Sequence, residues 1–299
     1  MSMNKFVMSA GLPRSGSTLM MNILAQNPNI AVTPTSGLID LVAHVRDVSE
    51  QNPVIKALPE EVRQLKRYNM VKGLVEGYFT DYADGKNKPR RKGSKATAAQ
   101  VYVDKNRGWP RFPMYEFMNG MHKELCGGEV KVLVCVRDVR EVLASWERMS
   151  RRTAEKKKPP LPAGKPLLAA SILGRVQFLM SPSSAVGYSI NMISEMVDRG
   201  LGDNMLFIDY NHLTSDPEAV FKSIYEHIEE PNYKHNFNKV NQVTVENDEV
   251  HGFIDLHDIK SKVAPKKDTW PTVFSKEIRG APYWKEHIVP LARFWENWL

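Results

Sequence analysis

Phe6-Val7-Met8-Ser9-Ala10 runs into Gly11-Leu12-Pro13-Arg14-Ser15-Gly16-Ser17-Thr18 and then into Leu19-Met20-Met21-Asn22-Ile23-Leu24. The first five residues have strand composition and the last six continue with helical composition. Between them stands the spacing G-x-x-x-x-G-K-[ST], with Ser17 where the lysine would be. A strand, a glycine loop and a helix in that order aim the loop amides and the helix N-terminus at one spot, which suits an anion such as phosphate or sulfate. In nucleoside triphosphate enzymes the motif lysine reaches the β and γ phosphates and the Ser/Thr carries magnesium. Here the cation comes earlier, from Arg14, so the bound group differs from a triphosphate tail. Glycine and serine before a helix also make an ordinary turn and cap. The strand, the spacing and Arg14 together favour the anion site.

Downstream, strands and helices alternate. Ala31-Val32 reads as a short strand, Leu38 to about Ser49 as a helix, and Pro59 to Tyr82 as a long amphipathic helix with Val62, Leu65, Tyr68, Val71 and Val75 at helical spacing. Val101-Tyr102-Val103 is a strand ending at Asp104-Lys105-Asn106, and a helix from about Pro113 to Leu125 follows. Val130 to Val136 is the strongest strand signal in the chain. Asp138 then caps the next helix, with Glu141 completing a capping-box pattern. Helical segments run to Gly200, followed by the strand Met205 to Tyr210 and a helix from about Pro217 to Ile228. Asn232 to Leu299 has no clear architecture before a last helix from Trp284 to Trp298, anchored by its tryptophans. This alternation predicts an α/β fold with a central, mainly parallel sheet flanked by helices, whose ligands collect at the carboxyl ends of the strands. The 11–18 loop, Lys105 and Arg137 all fall there.

The bulk properties bound the function. At 299 residues, with 42% hydrophobic and 25% charged residues, the chain reads as one globular domain spanning 1–299 with loop insertions near 84–96 and 153–166. The net charge of +7 is concentrated in two runs, Lys86 to Lys92 and Lys156 to Lys158. Neither is interleaved with aromatic residues, so nucleic acid is not the expected partner. Cys126 and Cys135 form neither a disulfide framework nor a metal-like pair. Met1 to Ala10 lacks the basic flank and long apolar stretch of a signal sequence, and the apolar window Leu167 to Met180 is too short to span a bilayer. A cytoplasmic location without a membrane span is the expectation.

Arg137 falls in the turn after the strongest strand, and Ser145 lies eight residues on, two helical turns away on the same side. Guanidinium and hydroxyl can clamp a second phosphate, separate from the anion of the 11–18 loop. Together, Pro13-Arg14-Ser15-Gly16-Ser17-Thr18-Leu19 and the Arg137/Ser145 pair resemble the sulfotransferases that use 3′-phosphoadenosine-5′-phosphosulfate (PAPS). The stretch through Ala25-Gln26-Asn27-Pro28 is closest to the tyrosylprotein and carbohydrate branches. Ile208 to Leu213 followed by Asp216-Pro217 is similar to a strand-to-helix junction of the family.

The resemblance implies a P-loop NTPase-like three-layer fold and PAPS as cosubstrate, with no metal. It implies that the amides of Ser15, Gly16, Ser17 and Thr18 hold the 5′-phosphate and that Arg14 lies against the transferred sulfuryl group. Arg137 and Ser145 then select the 3′-phosphate, and Lys105 stabilises developing charge. The acceptor is a hydroxyl on a sugar, phenol, lipid or peptide tyrosine, and the motifs specify neither which of these nor an oligomeric state.

The general base does not carry over. The tyrosylprotein branch has a glutamate after the second strand, whereas this chain has Val32-Thr33-Pro34-Thr35-Ser36. The cytosolic branch has a histidine two positions after the strand-end lysine, where this chain has Arg107. Asp40, His44, His251 and His257 are the candidates, and His251, beside Gly252 in a polar loop, is preferred. Lys260-Ser261-Lys262 offers a further contact to the 3′-phosphate. A nucleotide or sugar kinase and a non-catalytic binder of adenosine 3′,5′-bisphosphate (PAP) are the alternatives.

Overall fold

The computed structural model describes residues 3–80, 99–157 and 165–298. Five parallel strands, β1 (Lys5–Gly11), β2 (Ile30–Thr35), β3 (Val101–Lys105), β4 (Lys131–Val136) and β5 (Met205–Asp209), form one sheet in the order β2-β3-β1-β4-β5. Successive side chains point to opposite faces. In β4, Val132, Val134 and Val136 join one core while Leu133 and Cys135 join the other, and in β1 Phe6 and Met8 oppose Val7. Both faces are covered, which is why the strands read as continuous apolar runs. The helices Ser17–Leu24 and Pro217–His227 cover one face through Met20, Ile23, Phe221 and Ile224. On the other face lie, among others, Leu38–Gln51, Glu60–Phe79, Phe112–Cys126 and Val139–Lys156. The fold is the three-layer α/β arrangement expected from the sequence.

From β1 the chain moves out to β2 and back through β3 on one side, then on to β4 and β5 on the other. The order therefore reverses at β1, where such sheets open a crevice at the strand ends. Register brings those ends level: Ser9 lies beside Lys105, Lys105 beside Thr35, and Gly11 beside Cys135.

Three local expectations are corrected. The helix beginning at Val139 continues through Lys156, where a loop from residue 153 was expected. Thr153 is buried within it, and its hydroxyl accepts the Ile254 N–H at 3.3 Å. Residues 158–164, the whole basic stretch 84–96 and any covering role for them lie outside the described residues. The single terminal helix is instead a π turn, Trp284–Ile288, and a 3-10 turn, Phe294–Trp298. Pro290 lies between them and has no N–H with which to continue a helix. Asp138 caps its helix by accepting the Arg140 N–H at 2.9 Å, but Glu141 does not complete the box. Its carboxylate pairs with Arg137 at 3.1 Å and accepts the N–H groups of Thr269 and Trp270.

Those last contacts belong to a strap, residues 229–269, with little regular structure beyond a short turn at Asp248–His251. Buried Asn22 pins it to the first helix: Oδ1 accepts the Val243 and Thr244 N–H groups at 2.5 and 3.1 Å, and Nδ2 donates to Thr244 Oγ1 at 2.8 Å. Among the described residues no helix is long and apolar enough to cross a membrane.

Candidate active site

The glycine loop is closed by its own groups. Arg14 and Gly16 take left-handed backbone conformations, φ 63° and 94°. A Cβ on Gly16 would lie 2.7 Å from the Tyr210 ring, so the side-chain hydrogen there is a packing requirement as well as a backbone one. Buried Ser15 turns its hydroxyl inward to donate to the Leu12 carbonyl at 2.5 Å, and the helix begins at Ser17. The amides of residues 15–18 thus gather at the N-terminus of a helix that ends in the core.

The two phosphate motifs, read as separate in the sequence, interlock. Arg14 Nε donates to Ser145 Oγ at 3.2 Å, and Arg137 Nη1 donates to the Arg14 carbonyl at 3.3 Å. The Arg137 guanidinium lies 4.2 Å over the Tyr210 ring, while Glu141 takes its Nη2 at 3.1 Å. Its Nε is buried with no hydrogen-bond partner. Burial, followed by the charges of Arg152 and Arg137, holds the Arg14 guanidinium below its ordinary value.

These groups open on one cavity of about 810 Å³ at the carboxyl ends of β1 and β3. Ten basic side chains line it against three carboxylates, Glu141, Asp255 and Asp258. Such a concave field of one sign concentrates a multiply charged anion. Lys260, Lys262, Lys266 and Lys267 reach it from the strap, and Arg148 and Arg152, which the sequence reading missed, from the long helix. Those two arginines recur at helical spacing from Ser145, and that periodicity was the signal available for them.

Lys105 is held at the opposite end of the first loop. Its Nζ donates to Thr18 Oγ1 at 3.2 Å and pairs with Glu246 at 3.2 Å. Glu246 also accepts the Thr35 N–H at 2.8 Å and its hydroxyl at 3.0 Å. A carboxylate therefore does stand after the second strand, supplied from 211 positions away by the strap. Burial pushes the Glu246 carboxyl up, but Lys105, the Thr35 N–H and His257 outweigh it and leave it below the usual carboxylate range. Burial also lowers Lys105, against the opposing influence of Glu246.

His257 completes the cluster. Its Nδ1 lies 2.6 Å from Asp248 Oδ1 and 3.3 Å from Glu246, which orients the ring and leaves Nε2 facing the Thr35 hydroxyl at 3.5 Å. Burial and then Lys105 lower its pKa, while Glu246 and Asp248 oppose them. His251 reaches the same cavity wall and packs edge-on to His257, centroids 6.0 Å apart, but is exposed. Asp40 lines a smaller neighbouring cavity, and His44 is an exposed residue that lines neither cavity.

Residues 5–290 match the family model described as "Sulfotransferase domain". The chain belongs to the sulfotransferase family. Enzymes of this family move a sulfuryl group from PAPS to a hydroxyl acceptor, and this sulfotransferase is an enzyme of that type. Among solved structures it is similar to the sulfotransferase domain of the Synechococcus olefin synthase, at 17% identity over 78% of this chain and 76% of that one with a TM-score of 0.41. It is also similar to the sulfotransferase domain of the curacin biosynthetic pathway, at 13% identity over 99% and 92% with a TM-score of 0.47. A retinol dehydratase solved with retinol and PAP matches at 13% identity over 95% and 81%, TM-score 0.40. No curated protein matches the sulfotransferase.

Proposed function

We propose that the sulfotransferase grips its donor between the 11–18 loop and the Arg137/Ser145 pair and deprotonates the acceptor with His257. The observation that carries the donor assignment is Arg137: a buried guanidinium beside the loop, stacked on Tyr210, whose Nε–H has no partner among the described residues. A buried donor of this kind is costly unless something accepts from it, and a phosphate oxygen is the acceptor that suits it. The amides of Ser15, Gly16, Ser17 and Thr18 hold the 5′-phosphate, and Arg137 with Ser145 holds the 3′-phosphate. Ser17 in place of a lysine fits a donor with no γ-phosphate.

PAPS supplies a sulfuryl group on a phosphate that leaves as part of PAP. Sulfuryl transfer parallels loose in-line phosphoryl transfer, where positioning and charge neutralisation supply most of the rate. Arg14 and Lys105 bring positive charge to the reacting end, and Glu246 restrains Lys105 from behind the cavity wall. His257 Nε2, held free of a proton by the Nδ1 bond to Asp248, takes the acceptor hydroxyl proton. Glu246 is a poor base by comparison, since its ionised form is stabilised by three donors and it does not line the cavity. His251 lines the same wall as an exposed ring, without a carboxylate among the described residues to orient it as Asp248 orients His257.

The chain works as a single domain on this reading, and its two free thiols support a reducing, cytoplasmic setting. Calorimetry of the full-length chain separates this assignment from a kinase. PAP is expected to bind at least about tenfold more tightly than ATP with magnesium, equivalent to about 1.4 kcal/mol. Equal or tighter ATP binding would overturn the donor assignment.

A further inference from the structure

A second cavity of about 250 Å³ adjoins the first, and the two share Asn106 and Arg107, the residues directly after Lys105. Its position follows from a tight turn at the end of β3. Asn106 Nδ2 donates to the Ser36 carbonyl at 2.6 Å and its Oδ1 accepts the Gly108 N–H at 2.8 Å. The turn leaves the Arg107 side chain between the two cavities, with Nη1 on the Ala185 carbonyl at 3.5 Å. Gly108 closes one side, since a Cβ there would lie 3.1 Å from Ile39 Cδ1 and 3.5 Å from the Tyr188 hydroxyl.

The recess is polar. Apart from Ile39 and Ala185, its side-chain lining comes from Asp40, Asn106, Arg107, Arg111, Tyr188 and the serines at 183 and 184. A lipid acceptor would find little apolar surface there to bury. Among the described residues no carboxylate pairs with Arg107 or Arg111, and Asp40 lies in the same lining without an ion pair to either. Arg107 and Arg111, both solvent-exposed residues, line this small polar recess, and a pair of planar guanidiniums suits a carboxylate or a comparable oxyanion in geometry as well as charge.

We infer that this recess holds the acceptor, and that the acceptor is a polar hydroxyl compound carrying an anionic group, recognised by Arg107 and Arg111. The inference rests on the donor assignment above, because it needs the large cavity to be filled by PAPS. Arg111 lines the small cavity and not the large one, so it separates the two.

The test is transfer from radiolabelled PAPS by the full-length enzyme to matched acceptors in which a carboxylate is exchanged for its amide. The pairs are a sugar uronate and uronamide, a tyrosine peptide flanked by Glu or Gln, and hydroxybenzoate and hydroxybenzamide. The acid member is expected to show at least about a tenfold higher kcat/KM. In Arg111→Gln that preference should fall below about threefold, with PAP affinity by calorimetry unchanged. Amides turned over as well as acids, a preference that survives Arg111→Gln, or no transfer to any acid by an enzyme that binds PAP would each overturn the inference. Failure of the wild-type enzyme to bind PAP would instead bring down the donor assignment.

Discussion

His257→Ala is expected to lower kcat for sulfuryl transfer by about a thousandfold, within the range a positioned general base supplies. KM for PAPS should change little, because the ring faces the Thr35 end of the cavity and not Arg137. His251→Ala should cost less than about threefold, as an exposed ring with a spectator's place at the wall. Asp248→Asn removes the carboxylate that orients Nδ1 at 2.6 Å and should cost about tenfold or more.

The pH profile gives an independent check on the same base. Burial and Lys105 hold His257 below its ordinary value of 6.5, so the proton-free form persists through neutral pH. Acceptor kcat/KM should be level on the alkaline side of 6.5 and decline only at lower pH. Asp248 raises the histidine's pKa, so Asp248→Asn should move that acid limb to lower pH still. An enzyme that loses its activity with His251→Ala and keeps it with His257→Ala would reverse the assignment.

Arg137→Ala is expected to weaken PAP binding by about a hundredfold, the loss of roughly two charge-assisted hydrogen bonds, while 5′-AMP binding falls by less than about threefold. The variant also strips a buried partner from Glu141, and breaking such a pair costs about 3–5 kcal/mol of stability. Glu141 keeps the Thr269 and Trp270 N–H groups, which softens that loss. The ratio of the two affinities is insensitive to folded fraction, since both ligands read the same population. Equal losses for PAP and 5′-AMP would refute a role for Arg137 in reading the 3′-phosphate.

The parts legible in the sequence share one physical property, that their signal is local. β4 lies between two covered faces, so Val132 to Val136 reads as an unbroken apolar run, and the glycine loop announces itself because backbone conformations near Arg14 and Gly16 restrict what can stand there. Arg137 and Ser145 were visible because a helix fixes the direction of residues eight apart. The strap had no such signal. Its path is set by the side chain of Asn22 and by pairings such as Val240 N–H to the Ser261 carbonyl, and neither imposes a period on the sequence.

Glu246 illustrates the consequence. The position after β2 lacks a carboxylate in sequence, and Thr35 recruits one through its N–H and hydroxyl from a segment that reads as featureless polar chain. The same distance effect concealed the joining of the two phosphate motifs, which depends on an Arg14 side chain crossing to Ser145. Glu141 was misread for a related reason: a capping box is a local pattern, and the carboxylate found stronger donors in Arg137 and the strap.

A crystal structure of the full-length enzyme with PAP tests the donor site most directly. The account predicts the 5′-phosphate on the amides of residues 15–18 and the 3′-phosphate within hydrogen-bond distance of Arg137 and Ser145, in the cavity that His257 also lines. PAP bound with its 3′-phosphate away from both residues, or outside that cavity, would contradict it.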